Sequence, residues 1–208
     1  VLAAKYWLGL DNYKPAAQNG LLADLNTPAA KSLIQRMADG SITVLNSDKK
    51  IYSFNTKEKT AVVSVGITQA QDFEQGLAVQ LTNGKNFYVN GAESEEQLKS
   101  LLKEVRGYKQ IVLAIHDNRA RPRPELALNE PVKKFIDELA GRRTITVMFT
   151  NPYALSSVKV DRSSTIILAY QNDDFMQRAA LKVLLKQIKA KGKLPVTVND
   201  NYTFGKGI

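Results

Sequence analysis

His116 is the only histidine of the chain, and it stands directly before Asp117 at the close of an apolar run, Gln110 to Ile115. A His–Asp pair can do general acid–base work when both side chains reach one substrate. Adjacent residues of an extended chain point to opposite sides, however, which sets the two apart. The plainer reading is a partly buried histidine bonded to a loop backbone. Three arginines follow within Asn118–Pro124, at Arg119, Arg121 and Arg123, in the densest positive stretch of the sequence. Guanidinium groups beside a strand end can grip a carboxylate or a phosphate. The plainer reading leaves them in solvent or against another domain. His116, Asp117 and Arg119 are therefore the candidate substrate-binding residues, on a strand-end loop.

No residue earns a catalytic role. Paired carboxylates can hydrolyse glycosides, but Glu95-Glu96 and Asp173-Asp174 are better explained as helix starts. Gly66-Ile67-Thr68 lacks the dinucleotide-binding spacing of glycines, and no phosphate loop of the G-x-x-x-x-G-K-[ST] kind exists. No G-x-S-x-G nucleophile elbow exists either. A single histidine excludes multi-histidine metal sites, and no metal or other cofactor is expected. The chain has no cysteine, which removes disulfides and thiol chemistry.

The elements that must position these residues follow from apolar spacing. Apolar β-branched runs predict strands over Ala61–Gly66, Asn86–Asn90, Gln110–Ile115, Thr144–Phe149 and Ser164–Tyr170. Helical spacing falls between them: Phe73, Leu77 and Leu81; Leu98, Leu101, Leu102 and Val105 behind the capping box Ser94-Glu95-Glu96-Gln97; Val132, Phe135, Ile136 and Leu139 behind Pro131. A last, long helix begins near Asn172 and buries Met176, Ala180, Val183, Leu184 and Ile188. Its opposite stripe of Arg178, Lys182, Lys186 and Lys189 reads as a solvated face. Thr27 caps a further helix with Pro28 at its first position. Whether that helix continues through Gly40 into Ser41–Leu45, or gives way to a strand, stays open.

This alternation predicts an α/β fold: a three-layer α/β/α sandwich around a mostly parallel, doubly wound sheet of about five or six strands. Residues 1–26 read as an N-terminal arm and 27–208 as the sandwich domain. Ligands of such sheets bind at the carboxyl ends of the strands. Of the 208 residues, 44 % are hydrophobic and 24 % charged, enough apolar content for a sizeable core. No apolar run approaches the ~20 residues of a membrane-spanning helix. The net charge of +9 suits an anionic partner, either nucleic acid or a membrane surface. The lysines are spread along the chain without a nucleic-acid-binding signature, so nucleic acid is not the expected partner.

The ending adds a resemblance. An alanine-rich helix, then Gly192-Lys193-Leu194-Pro195-Val196-Thr197, then Phe204 and a glycine-spaced close, resembles the C-terminal α/β-sandwich domain of glycoside hydrolase family 3. Ser41-Ile42-Thr43-Val44-Leu45-Asn46, followed by a short turn and Thr60–Gly66, looks like that family's entry into the domain. Val1 to Gly9 looks like the exit from its preceding barrel. The resemblance implies an exported bacterial retaining β-glycosidase, periplasmic or extracellular. Its nucleophilic aspartate would lie in an N-terminal barrel domain of the same polypeptide, which is then this domain's partner, and carbohydrate a possible ligand. In the β-glucosidase branch the acid/base glutamate comes from the loop matching His116–Leu128. That loop holds Asp117 and Glu125 but no counterpart of the glutamate's motif, so the resemblance leans to the β-N-acetylglucosaminidase branch. It implies a non-catalytic domain that packs on the barrel and shapes its cleft. The rival reading is a stand-alone flavodoxin-like module for a small ligand or a protein.

Overall fold

A computed structural model describes residues 1–15, 19–46, 54–121 and 123–208. Most of the turn expected between Asn46 and Thr60, and Pro122 of the arginine-rich stretch, fall outside them. The chain divides into two compact units, Val1–Ile34 and Gln35–Ile208. The first holds α1 (Leu2–Trp7), a 3₁₀ turn at Leu10–Asn12 and α2 (Leu21–Leu25), and none of these residues is buried. Helix α3 (Pro28–Ser41) crosses the division. Thr27 Oγ1 accepts the Ala30 amide at 3.1 Å, the cap expected before Pro28.

The open question at Gly40 has a double answer. α3 runs through Gly40 to Ser41, and β1 (Thr43–Leu45) follows at once. The remaining strands are β2 (Thr60–Val65), β3 (Gly84–Val89), β4 (Gln110–His116), β5 (Thr144–Phe149) and β6 (Thr165–Leu168). Between them lie α4 (Asp72–Gln80), α5 (Glu95–Val105) and α6 (Glu130–Leu139), and α7 (Asp174–Leu184) follows β6. The six strands form one sheet in the order β1-β6-β5-β4-β2-β3. All pairings are parallel except β1 on β6. β3-β2-β4-β5-β6 is the flavodoxin-type strand order, with β1 added antiparallel at its edge.

The pleat divides the core in two. Val63, Ile111, Leu113, Ile115 and Met148 face α5 and α6. Val62, Val112, Ala114, Val147 and Phe149 face α4, α7 and the end of α3. β2 and β5 are buried along their whole length, as strands covered on both sides must be. This is the expected three-layer sandwich. Gly76, a costly residue in a helix interior, has a packing reason. A Cβ there would lie 2.4 Å from Leu181 Cδ2, so its absence lets α4 close on α7.

α4 ends at Gln80, just before Leu81 of the expected helical spacing, and Gly84 opens β3. The last helix is shorter than its periodicity suggests, ending at Leu184, with Lys186 at φ 59° turning the chain out of it. Ile188 still packs on the core, from beyond the helix. The basic stripe is also not simply solvated. Arg178 pairs with Asp72 of α4 at 2.6 Å, and Lys182 with Asp39 of α3 at 2.8 Å.

The closing segment seals the β1 edge. Gly192 N–H donates to Ile42 O (3.0 Å) and Ile208 N–H to Val44 O (3.2 Å). Between them Leu194 N–H donates to Lys206 O and Gly205 N–H to Leu194 O. Leu194 is fully buried, and Val198 packs against the same core.

Candidate functional site

The carboxyl ends of β2 and β4 form the topological switch point of the sheet, where open α/β folds place ligands. Here that crevice is filled. Gly66 follows β2 at φ 90°, and a Cβ on it would lie 2.2 Å from His116 O. Asn118 Nδ2 donates to Gly66 O at 2.9 Å and closes the gap from above.

His116 lies beneath this closure. It is the last residue of β4, on the α4/α7 side, and its side chain has no exposed surface. Its Nε2 meets Glu74 Oε1 at 2.9 Å, and Glu74 is equally enclosed. Its Nδ1 meets Asn172 Oδ1 at 3.0 Å. The partners of His116 are thus two side chains, not the loop backbone expected. Phe149 of β5 stacks on the ring at 4.7 Å between centroids.

The neighbouring donors order this pair. Phe73 N–H donates to Gln177 Oε1 at 3.1 Å. Gln177 must then present Nε2 to Asn172 Oδ1 (2.8 Å) and Gln71 Oε1 (2.7 Å). Asn172 Oδ1 is therefore an acceptor, and His116 Nδ1 has to donate to it. Burial alone would raise the Glu74 pKa. Hydrogen bonding and charge from His116, with further bonds from Ser64 Oγ and the Gln71 amide, outweigh that and hold it below the usual range. Glu74 Oε1 on one side and Asn172 Oδ1 on the other hold the ring of His116 in a closed side-chain network.

Asp117 points the other way, as strand alternation requires. Arg119 forks it, Nε to Oδ1 and Nη2 to Oδ2, both at 2.8 Å, and the Arg119 amide adds a third bond. Burial pushes the Asp117 carboxyl up, but the Arg119 bonds and charge win and hold it below the usual range. Arg119 Nη2 also donates to Glu125 O at 2.7 Å, so the same guanidinium folds the β4–α6 loop onto itself.

Open space at this end of the sheet lies beyond the switch point, above β4, β5 and β6. This cleft of about 380 Å³ is lined by Asp117, Arg119, Thr150, Tyr170, Gln171 and Asn172, among others. Thr150 Oγ1 is buried without a hydrogen-bond partner among the described residues. Tyr170 holds φ 62°, with Gln171 N–H donating to Ala169 O across it, a strained three-residue turn at the end of β6. Of the three residues singled out in the sequence, Asp117 and Arg119 line the cleft and His116 lies below it. Sequence reasoning missed Glu74, Ser64, Asn172 and Gln177. Glu74 carried one signal, its place three residues after Gln71 in a capping box. That explains a glutamate there without calling for its burial. Among the described residues, no group of three or more His, Cys, Asp or Glu could hold a metal ion.

The fold and this site define an open, doubly wound α/β sandwich with a plugged switch point and a shallow strand-end cleft. No protein-family model and no curated protein matches the sequence. Solved structures do match the fold. One is a glycoside hydrolase family 3 β-N-acetylglucosaminidase from Paenibacillus sp. str. FPU-7, at TM-score 0.68 and 19 % identity, covering 95 % of this chain and 38 % of that one. Another is a β-glucosidase from Listeria innocua in complex with isofagomine, at TM-score 0.71 and 19 % identity, covering 95 % and 31 %. A third is the β-glucoside phosphorylase BglX, at TM-score 0.66 and 20 % identity, covering 93 % and 36 %. The chain thus has the fold of one segment of these proteins and spans about a third of their length. The fold expected from the closing segment is the fold observed.

Proposed function

We propose that this chain is the non-catalytic C-terminal α/β domain of a bacterial glycoside hydrolase of family 3. It would pack on an N-terminal barrel of the same polypeptide and shape that barrel's active-site cleft. The observation that supports this reading is the match of 95 % of the chain to only 38 % of a family 3 β-N-acetylglucosaminidase. The closing segment Gly192–Thr197 points to the same family. The carboxylates at the strand ends are also committed elsewhere. Glu74 is sealed against His116, Asp117 is forked by Arg119, and Asp173 caps α7 through the Phe175 and Met176 amides. That suits a domain whose task is shape rather than proton transfer, and with it the β-N-acetylglucosaminidase branch. The strand-end cleft is the surface we assign to the barrel and to carbohydrate, and export from the cell goes with the assignment.

The test compares this chain alone with the intact parent polypeptide on aryl β-glycosides, including the N-acetylglucosaminide. Turnover by the parent and none by the isolated chain is the expected result. Hydrolysis by the isolated chain would overturn the reading, as would a parent that carries no barrel.

A further inference from the structure

We propose a second binding site, for phosphate-type oxyanions, at the opposite end of the sheet from the strand-end cleft. An open pocket of about 440 Å³ lies where β4, β5 and β6 begin. Its polar lining includes Asn55, Glu58, Lys109, Gln110, Arg142 and Arg143. Three cations face one carboxylate, and that carboxylate is already paired, Lys109 Nζ to Glu58 Oε2 at 3.4 Å. Among the described residues, two guanidinium charges are left uncompensated in a concavity. A concave, low-dielectric wall of one sign concentrates counter-ions.

The pocket is braced. Gln110 Nε2 donates to Asn55 O (2.6 Å) and Thr60 Oγ1 (2.7 Å), and its Oε1 accepts the Asn55 amide (3.3 Å). This latches one wall to the start of β4. Arg143 Nη1 donates to Arg106 O (3.3 Å) and Tyr108 O (3.0 Å), which anchors the guanidinium by one corner. Its Nε and Nη2 have no acceptor among the described residues. Arg142 precedes it in the turn closed by Thr144 N–H to Gly141 O (2.9 Å), and its side chain has no partner among the described residues. Two planar forks on one short turn, one pre-oriented, match the oxygens of a phosphate better than they match a lone carboxylate. Lys59, over the Tyr108 ring at 4.6 Å, adds charge nearby.

The experiment titrates the intact chain with pyrophosphate and with long-chain polyphosphate at low salt, followed by ¹H–¹⁵N NMR. Saturable shifts centred on Asn55, Lys109, Gln110 and Arg142–Thr144 are expected, weakening as salt rises. Arg142→Ala breaks no side-chain bond among the described residues and should weaken binding by about tenfold or more. Arg142→Lys should recover only part of that. Tighter binding of the longer chain would mark an acidic polymer as the natural ligand; equal binding would mark a small phosphorylated one. No saturable shift at low salt, shifts scattered over the surface lysines, or binding indifferent to Arg142→Ala would each overturn the proposal. The outcome is independent of the hydrolase reading, because neither the barrel nor the strand-end cleft enters it.

Discussion

His116 Nε2 and Glu74 Oε1 meet at 2.9 Å with neither side chain exposed. The pair ties β4 to α4. Through Asn172 and Gln177 it reaches α7 as well. Three elements at the strand-end rim are thus held by one buried side-chain network.

Removing one partner should be far worse than removing both. Glu74→Ala or His116→Ala leaves a buried polar partner unsatisfied, expected to cost about 1–3 kcal/mol. The double variant should lose clearly less than the sum of the two. Urea unfolding of the three variants measures this, and strictly additive losses would refute the pairing.

Stability should fall on the acid side. The folded-state pKa values of Glu74 and Asp117 are both depressed. Groups of this kind contribute stability that is present above their unfolded values, near 4, and lost as pH falls through the folded values. Glu74→Gln cannot ionise and should flatten that part of the stability–pH curve. A wild-type curve unchanged below pH 4 would contradict the assignment.

Arg119→Ala should expose the cost of the Asp117 fork. A nearly enclosed carboxylate would lose two hydrogen bonds from the guanidinium or be forced to protonate, and a loss of about 2 kcal/mol is expected. Arg119→Lys should recover little, since an ammonium cannot fork. Amide exchange in residues 123–126 should quicken in both variants, because the Glu125 carbonyl loses its donor.

Gly66→Ala should be destabilising by at least about 1–2 kcal/mol from backbone conformation alone. The clash with His116 O adds to this, since β2 and β4 would have to part at their ends. Shifts in the His116 and Asn118 resonances should accompany the loss. A variant as stable as the parent, with those resonances unmoved, would show that the plug is not tight.

Much of the fold was legible because apolar period and capping chemistry are local. Asn129 accepts the Val132 amide, Asp173 accepts those of Phe175 and Met176, and Ser94 forms its capping box with Gln97. These bonds span two or three residues, so the sequence shows them directly. Strand parity was legible for the same reason, and it correctly sent His116 and Asp117 to opposite sides. The helix end at Leu184 was not legible, since its apolar spacing runs on to Ile188 and only the backbone turn at Lys186 breaks it.

The sequence by itself determined a mostly parallel α/β sandwich, its layer faces, and a closing segment that resembles one hydrolase family. Only the tertiary structure decided what His116 does. Its partners Glu74 and Asn172 lie 42 and 56 residues away in the chain, on elements that meet only when α4 and α7 pack on the same face of the sheet. Whether a histidine is charged, buried or open to a ligand depends on donors and acceptors brought together by that packing, and no local pattern carries that information.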